Sequence, residues 1–172
     1  PGYLWNTYHV PWIEGKTDAG LLNEIPDYFF DTIDLVREKT KGEISVHGEV
    51  FSPFTHYLEL FGYMNAIIGL VKNKEKVKAL LDRLTDATVA WAVAQARHGV
   101  DAVLISSAFA GGGFLSPKMY TEYILPYEQR LADAVRACGV PVYTHIAASC
   151  VHLPPVHVSY LTFTAVSVTE VF

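Results

Sequence analysis

Val100–Ser106 reads VDAVLIS, a nearly continuous apolar run rich in branched residues that follows Gly99 and leads into a string of small residues. A run of this kind predicts a strand buried on both faces in a parallel sheet. Immediately upstream, Lys74–His98 carries Val77, Leu80, Leu81, Leu84, Ala87, Val89, Trp91 and Ala94 at helical spacing and stops at His98-Gly99, which predicts one long helix. Before it, Glu43–Phe51 (EISVHGEVF) sets Ile44, Val46, Gly48 and Val50 against Ser45, His47 and Glu49, the alternation of a strand. Downstream, Ser116-Pro117 is an N-cap followed by Pro at the first helical position, opening a helix that runs to about Ala137 and bends at Pro126. Val140–His145 (VPVYTH) is a third short apolar strand. Strand, helix, strand, helix, strand in that order argues an α/β fold with parallel strands, and both a βα barrel and an open doubly wound sheet fit it. An eight-unit barrel takes ~250 residues, so a barrel reading makes this chain a partial one with about half the units.

The flanks are less regular. Pro1–Gly20 is aromatic and turn-rich, and Leu21–Lys39 places Leu22, Ile25, Phe29, Ile33 and Val36 on one side of an amphipathic helix. Ser52-Pro53 opens a short helix through Phe61, Met64–Val71 forms another, and Ala108–Phe114 is a Gly-rich loop. After Cys150 the composition turns to Val, Thr, His and Pro without a helix to match. The expected organisation is an N-terminal segment over 1–42, a barrel core over 43–145 and an atypical tail over 146–172.

Composition narrows the function classes. Of the 172 residues 51% are hydrophobic and only 18% charged, which excludes intrinsic disorder and predicts a dense core. Thirteen Lys and Arg against eighteen Asp and Glu give a net charge of −5 with no basic stripe, so nucleic acid is not an expected partner. Every apolar stretch is interrupted well short of the ~20 residues that span a bilayer, so no membrane partner is expected either. Cys138 and Cys150 make no disulfide framework, and a cytoplasmic location is the default expectation.

Phe51–Phe54 (FSPF), Gly99–Gly113 (GVDAVLISSAFAGGG) and Leu115–Pro126 (LSPKMYTEYILP) together resemble the uroporphyrinogen decarboxylase superfamily. The shared pattern is Pro53-Phe54-Thr55 after one strand, an Asp-bearing strand ending in a small-residue loop, an LSP helix cap with a downstream Pro126-Tyr127, and a strand ending in His145. The resemblance covers about Glu43 to His145 and implies a fragment of a TIM barrel. It also implies tetrapyrrole- or corrinoid-linked substrates. One branch of the superfamily decarboxylates uroporphyrinogen without a cofactor; the other moves a methyl group between a corrinoid and a thiol, with zinc held by a His-x-Cys pair and a later Cys. Zinc suits that step because a coordinated thiol is deprotonated at neutral pH. Partners on this reading are a tetrapyrrole or thiol substrate and, in the methyl-transfer branch, a corrinoid protein. Half a barrel leaves strand edges unpaired and its pocket incomplete, so the isolated chain is expected to have little activity. The competing expectation is a non-catalytic module that closes its exposed edges by forming a homodimer, or that assists assembly with a corrinoid protein.

The resemblance places His145 at the His of the metal motif, at the C-terminal end of a strand where barrel sites are built. Ala147 and Ala148 stand where the motif has Cys and Gly, so the bland alternative is a partly buried imidazole bonded to the backbone. A one-nucleotide slip of reading frame at Ile146-Ala147 would restore His-x-Cys-Gly if the Ile146 codon ends in T and the Ala147 codon in G. His47 and Glu49 share one side of their strand, which makes them candidates for substrate contact or proton transfer if that side faces a barrel interior, and ordinary solvated residues if it does not. Ser107 and Gly111, Gly112 and Gly113 close the second strand in a loop that the resemblance places against the substrate; a flexible turn is the alternative. Tyr57 is a candidate hydrogen-bond donor to a substrate carboxylate, as is Tyr120, with core packing the alternative for both. Cys138 reads as a small buried hydrophobe, and Cys150, His152 and His157 fall in the atypical tail.

Overall fold

The computed structural model describes Val10, Gly15, Lys16, Gly20 and residues 25–146. In chain order these form α1 (Tyr28–Thr40), β1 (His47–Phe51), α2 (Pro53–Phe61), α3 (Tyr63–Lys72), α4 (Lys74–His98), β2 (Ala102–Ser106), a 3-10 turn (Ala108–Ala110), α5 (Pro117–Tyr123), α6 (Leu125–Arg136) and β3 (Val142–His145). The three strands make one parallel sheet in the order β1-β2-β3, with His47 opposite Ala102, Phe51 opposite Ser106, and Ser106 opposite His145. The α/β reading with parallel strands and intervening helices therefore holds.

Helices cover one face of the sheet. Val50, Val103, Ile105 and Val142 pack there with Ala92 and Ala96 of α4 and with Leu131, Ala132 and Val135 of α6. Alanines on the sheet-facing stripes let the helix backbones lie close to the strands. A second cluster, built on Phe54, Tyr57, Phe61, Leu81, Tyr120, Tyr123 and Ile124, joins α2–α5 beside the sheet. Along β1 the residues alternate exposed and buried, and along β3 they alternate buried and half-buried. His47, Glu49 and Phe51 of β1 therefore share the uncovered face with Leu104, Ser106, Tyr143 and His145.

Three element boundaries differ from the sequence expectation, each for a physical reason. The first strand begins at His47 rather than Glu43, because Lys41 and Gly42 turn the chain with φ of 52° and 76° and β2 offers no residue opposite Ile44 or Ser45. Val46 is held instead by Asp101, whose Oδ2 accepts its N–H at 2.7 Å while Oδ1 accepts from Arg37 of α1 at 2.9 Å. These two bonds keep the Asp101 carboxyl below the usual range. The helix after Ser116 is two helices, α5 and α6, divided at Ile124, because Pro126 has no N–H to return to the preceding turn and its ring crowds that turn's carbonyl. The N-terminal helix starts at Tyr28, just past Pro26; Leu21–Glu24 lie outside the described residues. The irregular 1–20 stretch, apart from its four described positions, and the tail from Ala147 onward, with Cys150, His152 and His157, also lie outside them. Among the described residues no helix is long and apolar enough to cross a membrane.

Candidate functional site

The C-terminal ends of the three strands come together as a rim. On the uncovered face the last row is Phe51, Ser106 and His145, side by side in register. Backbone bonds seal the row one residue later: the Ser52 N–H donates to the Ser106 carbonyl at 2.9 Å, and the Ser107 N–H donates to the His145 carbonyl at 2.9 Å. Parallel strands feed their next segments outward from this end, which is why ligand sites in such folds gather here.

Two of those segments supply aromatic rings. Phe109 in the 3-10 turn and Phe114 in the loop that follows leave β2, and Tyr63 sits where α2 gives way to α3 beyond β1. Their centroids lie 5.6 Å apart for Phe109–Phe114, 6.2 Å for Tyr63–Phe114 and 6.4 Å for Tyr63–Phe109. Tyr63 is 41% exposed and Phe114 38% exposed, so the cluster presents ring surface to solvent. Phe51 on the rim meets His56 edge-on at 5.8 Å. Burial lowers the pKa of His56, an effect that the nearby Glu59 charge partly opposes, so this imidazole is held in its neutral form.

Beneath the rim lies a buried polar network. Ser52, which caps α2 by accepting the Thr55 N–H at 3.1 Å, is fully buried, and so is Ser107. The Ser107 hydroxyl stands 3.2 Å from Ser52 Oγ and donates to Glu128 Oε1 of α6. The Tyr120 hydroxyl of α5 reaches Glu128 Oε2 at 3.5 Å. From Ser52 the chain continues to Thr55 Oγ1 at 3.1 Å and on to the Ser106 carbonyl at 3.3 Å. Glu128 is wholly buried, and desolvation raises its pKa from 4.5 to about 7 against the opposing effect of the Ser107 and Tyr120 hydrogen bonds.

The candidate residues read from the sequence divide between the two ends of the sheet. His145 lies on the rim, Ser107 directly under it, and Gly111–Gly113 in the loop between Phe109 and Phe114. None of these three glycines has a positive φ. His47 opens β1 at the opposite end, four register steps or roughly 13 Å below the rim. Its Nδ1 lies 2.8 Å from the Tyr143 hydroxyl and its Nε2 2.7 Å from Ser45 Oγ. Glu49 sits midway and, after burial, contributes to the raised pKa of Tyr143. Tyr57 has no exposed surface and its hydroxyl donates to the Ala66 carbonyl at 2.9 Å, so it stabilises the α2–α3 junction. Tyr120 is likewise in the core, turned toward Glu128. Cys138 is half-buried at the end of α6, with its Sγ 3.6 Å from the Ala134 carbonyl.

For zinc the described residues offer His145 alone at the rim, and among them no group of three or more His, Cys, Asp and Glu converges. Ala147, two residues on, brings no donor atom. The described residues alone therefore do not complete a zinc site.

Comparison with known proteins places this geometry. The chain is 30% identical over 120 residues to a methylcobamide:CoM methyltransferase MtbA of Methanosarcina acetivorans, an alignment covering 69% of this chain and 35% of that protein. It is also 30% identical over 127 residues to a uroporphyrinogen decarboxylase of Syntrophotalea carbinolica, covering 67% of this chain and 35% of the relative. The fold superimposes on a solved methyltransferase from Methanosarcina mazei with a TM-score of 0.62 at 20% identity, over 72% of this chain and 38% of that one. The chain thus spans little more than a third of the length of these relatives. Residues 17–171 match the uroporphyrinogen decarboxylase (URO-D) family, and the chain belongs to that family.

Proposed function

We propose that this chain contributes the strand-end face of a URO-D-type barrel and takes a flat macrocycle there, a carboxylated tetrapyrrole or a corrinoid. The observation that carries this reading is the partly exposed Tyr63–Phe109–Phe114 cluster beside the Phe51–Ser106–His145 row, at the end of a parallel sheet where ligands are bound. The relatives' names support the same class, since one set acts on uroporphyrinogen and the other on a methylcobamide. In this reading the uncovered sheet face is the barrel interior, with Glu49 and Tyr143 on its wall and His47 at its floor. Ser107 and Gly111–Gly113 shape the loop over the ring, and His145 is the rim group nearest the reacting side of the ligand. Ring binding is common to decarboxylation and to methyl transfer, and the chain alone is expected to bind the ring without turning it over.

Titration of the chain with uroporphyrin I, and in parallel with aquocobalamin, tests this by the shift of the ligand's absorption bands. One of the two is expected to bind saturably, with Kd on the order of 1–100 μM. Phe114→Ala should weaken that binding roughly tenfold while leaving the circular dichroism unchanged, because an aromatic contact is worth about 1 kcal/mol beyond its area. No shift with either ring contradicts the reading. A second reading, a non-catalytic module that self-associates, draws support from the exposed Phe51, Met64 and Val71. It predicts a dimer in sedimentation velocity that persists in saturating uroporphyrin, where the ring-binding reading predicts a bound monomer.

A further inference from the structure

Ser107 has one hydroxyl proton and two acceptors within reach, Glu128 Oε1 on one side and Ser52 Oγ on the other. The state of the carboxyl decides between them. An ionised Glu128 is acceptor-only and takes the Ser107 proton, so Ser52 Oγ receives nothing from Ser107. A protonated Glu128 donates to Ser107 Oγ instead, and the hydroxyls then align in one direction: Glu128 to Ser107, Ser107 to Ser52, Ser52 to Thr55, and Thr55 to the Ser106 carbonyl. In that alignment every donor has an acceptor and β1 and β2 are tied together just past their C-terminal ends. We propose that Glu128 is a positioning residue for the strand-end site: its carboxyl proton sets the direction of the Ser107–Ser52–Thr55 hydrogen-bond chain and thereby how firmly the exits of β1 and β2 are held.

Among the described residues the groups facing Glu128 are all neutral. The β2 exit contributes the Ser107 hydroxyl, the α2 N-terminus the Ser52 and Thr55 hydroxyls behind it, and α5 the Tyr120 phenol. Among the described residues no charged side chain contributes to the displaced titration of Glu128, which burial raises against these hydrogen bonds. A carboxyl in such a setting changes state near neutral pH, so the relay switches there. Calling the relay a support of a ligand site rests on the ring-binding reading above; the relay itself does not.

Amide hydrogen exchange on the whole chain tests it, with Ser52 and Ser107 as reporters and Val103 and Ile105 as references within the sheet. From pH 5 to pH 8, after correction for the intrinsic rate, protection at Ser52 and Ser107, taken relative to the references to remove the global pH trend, is expected to fall roughly tenfold. In Glu128→Gln, whose amide can donate to Ser107 as the acid does, the step should be absent. In Ser107→Ala the step at Ser52 should be absent while the infrared band of a protonated buried carboxyl persists, so this variant decides the matter if Glu128→Gln does not fold. A step of wild-type size in either variant, or wild-type reporters that track the references, overturns the proposal. A protein that shows the step but binds neither uroporphyrin nor aquocobalamin refutes the ring-binding reading and supports the relay; one that binds a ring without the step refutes the relay alone.

Discussion

Glu128→Gln should make the protein more stable above pH 7 and leave it nearly unchanged at pH 5. The wild-type carboxyl holds its proton up to about pH 7 when folded and to about 4.5 when the chain is unfolded. Between those values the folded state binds more protons, so its stability falls as pH rises, in full possession below 4.5 and lost once pH passes 7. A displacement of this size is worth up to about 3 kcal/mol. Gln carries no proton to lose, keeps a donor toward Ser107 and an acceptor toward Tyr120, and so lacks this pH dependence. Thermal melts at pH 5, 6, 7 and 8 should show the two curves diverging by roughly 6–12 °C at the alkaline end for a chain of this length. Parallel curves across the series would mean that Glu128 is already ionised in the folded protein at pH 5.

Gly48→Ala is expected to cost about 2–4 kcal/mol, a large effect for one added methyl group. Gln95 of α4 lies over Gly48 because it is occupied with the next residue: its Oε1 accepts the Glu49 N–H at 3.0 Å and its Nε2 donates to the Glu49 carbonyl at 3.1 Å. Val46 and Ser52 direct their backbone groups at β2, so Glu49, an odd number of residues away, points its own at the free edge of the sheet. Among the described residues Gln95 is what caps this stretch of strand edge. A Cβ on Gly48 would come 3.1 Å from Gln95 Cδ and closer still to Oε1, expelling a buried amide from both bonds. The cost belongs to the pair, so Gly48→Ala in a Gln95→Ala background should cost at least 1 kcal/mol less than in the wild type, as non-additivity of contacting residues requires. Additive values in urea denaturation would show that Gln95 is not what reserves this position for glycine.

Much of the fold could be read from residues because the local signals and the tertiary environment agree. VDAVLIS reads as a strand buried on both faces and is the central one, although only its helix-covered face is fully buried and Leu104 and Ser106 on the other are half-buried; Ser116-Pro117 reads as a cap and Ser116 does accept the Met119 N–H. The first strand was legible in its alternation but not in its start, since pairing depends on where β2 begins and no local pattern in Glu43–Val46 records that. The site was less legible. His145 stands out as a lone imidazole at a strand end, whereas His47 and Glu49 are marked only as sharing a face, and the periodicity that gives the face says nothing of which end of the sheet they occupy. Glu128 was in principle visible: it falls four residues after Ile124 and three before Leu131, on the apolar stripe of its helix, where a carboxyl signals either a partner or a displaced titration. That its partner is Ser107, 21 residues earlier, is a fact of the crossover that brings α6 back under the β2 exit. The Tyr63–Phe109–Phe114 cluster is long-range in the same way and carries no spacing that would announce it.

The central claim is that ligands are taken at the C-terminal rim of this sheet and not at the His47 end. Chemical-shift mapping of the backbone amides on addition of uroporphyrin I, repeated with aquocobalamin, tests it most directly. The perturbed amides should centre on Ser106, Ser107, Phe109, Phe114 and His145, with Ser45 and His47 unmoved. Perturbations centred on Ser45, His47 and Tyr143, with the rim silent, would contradict it.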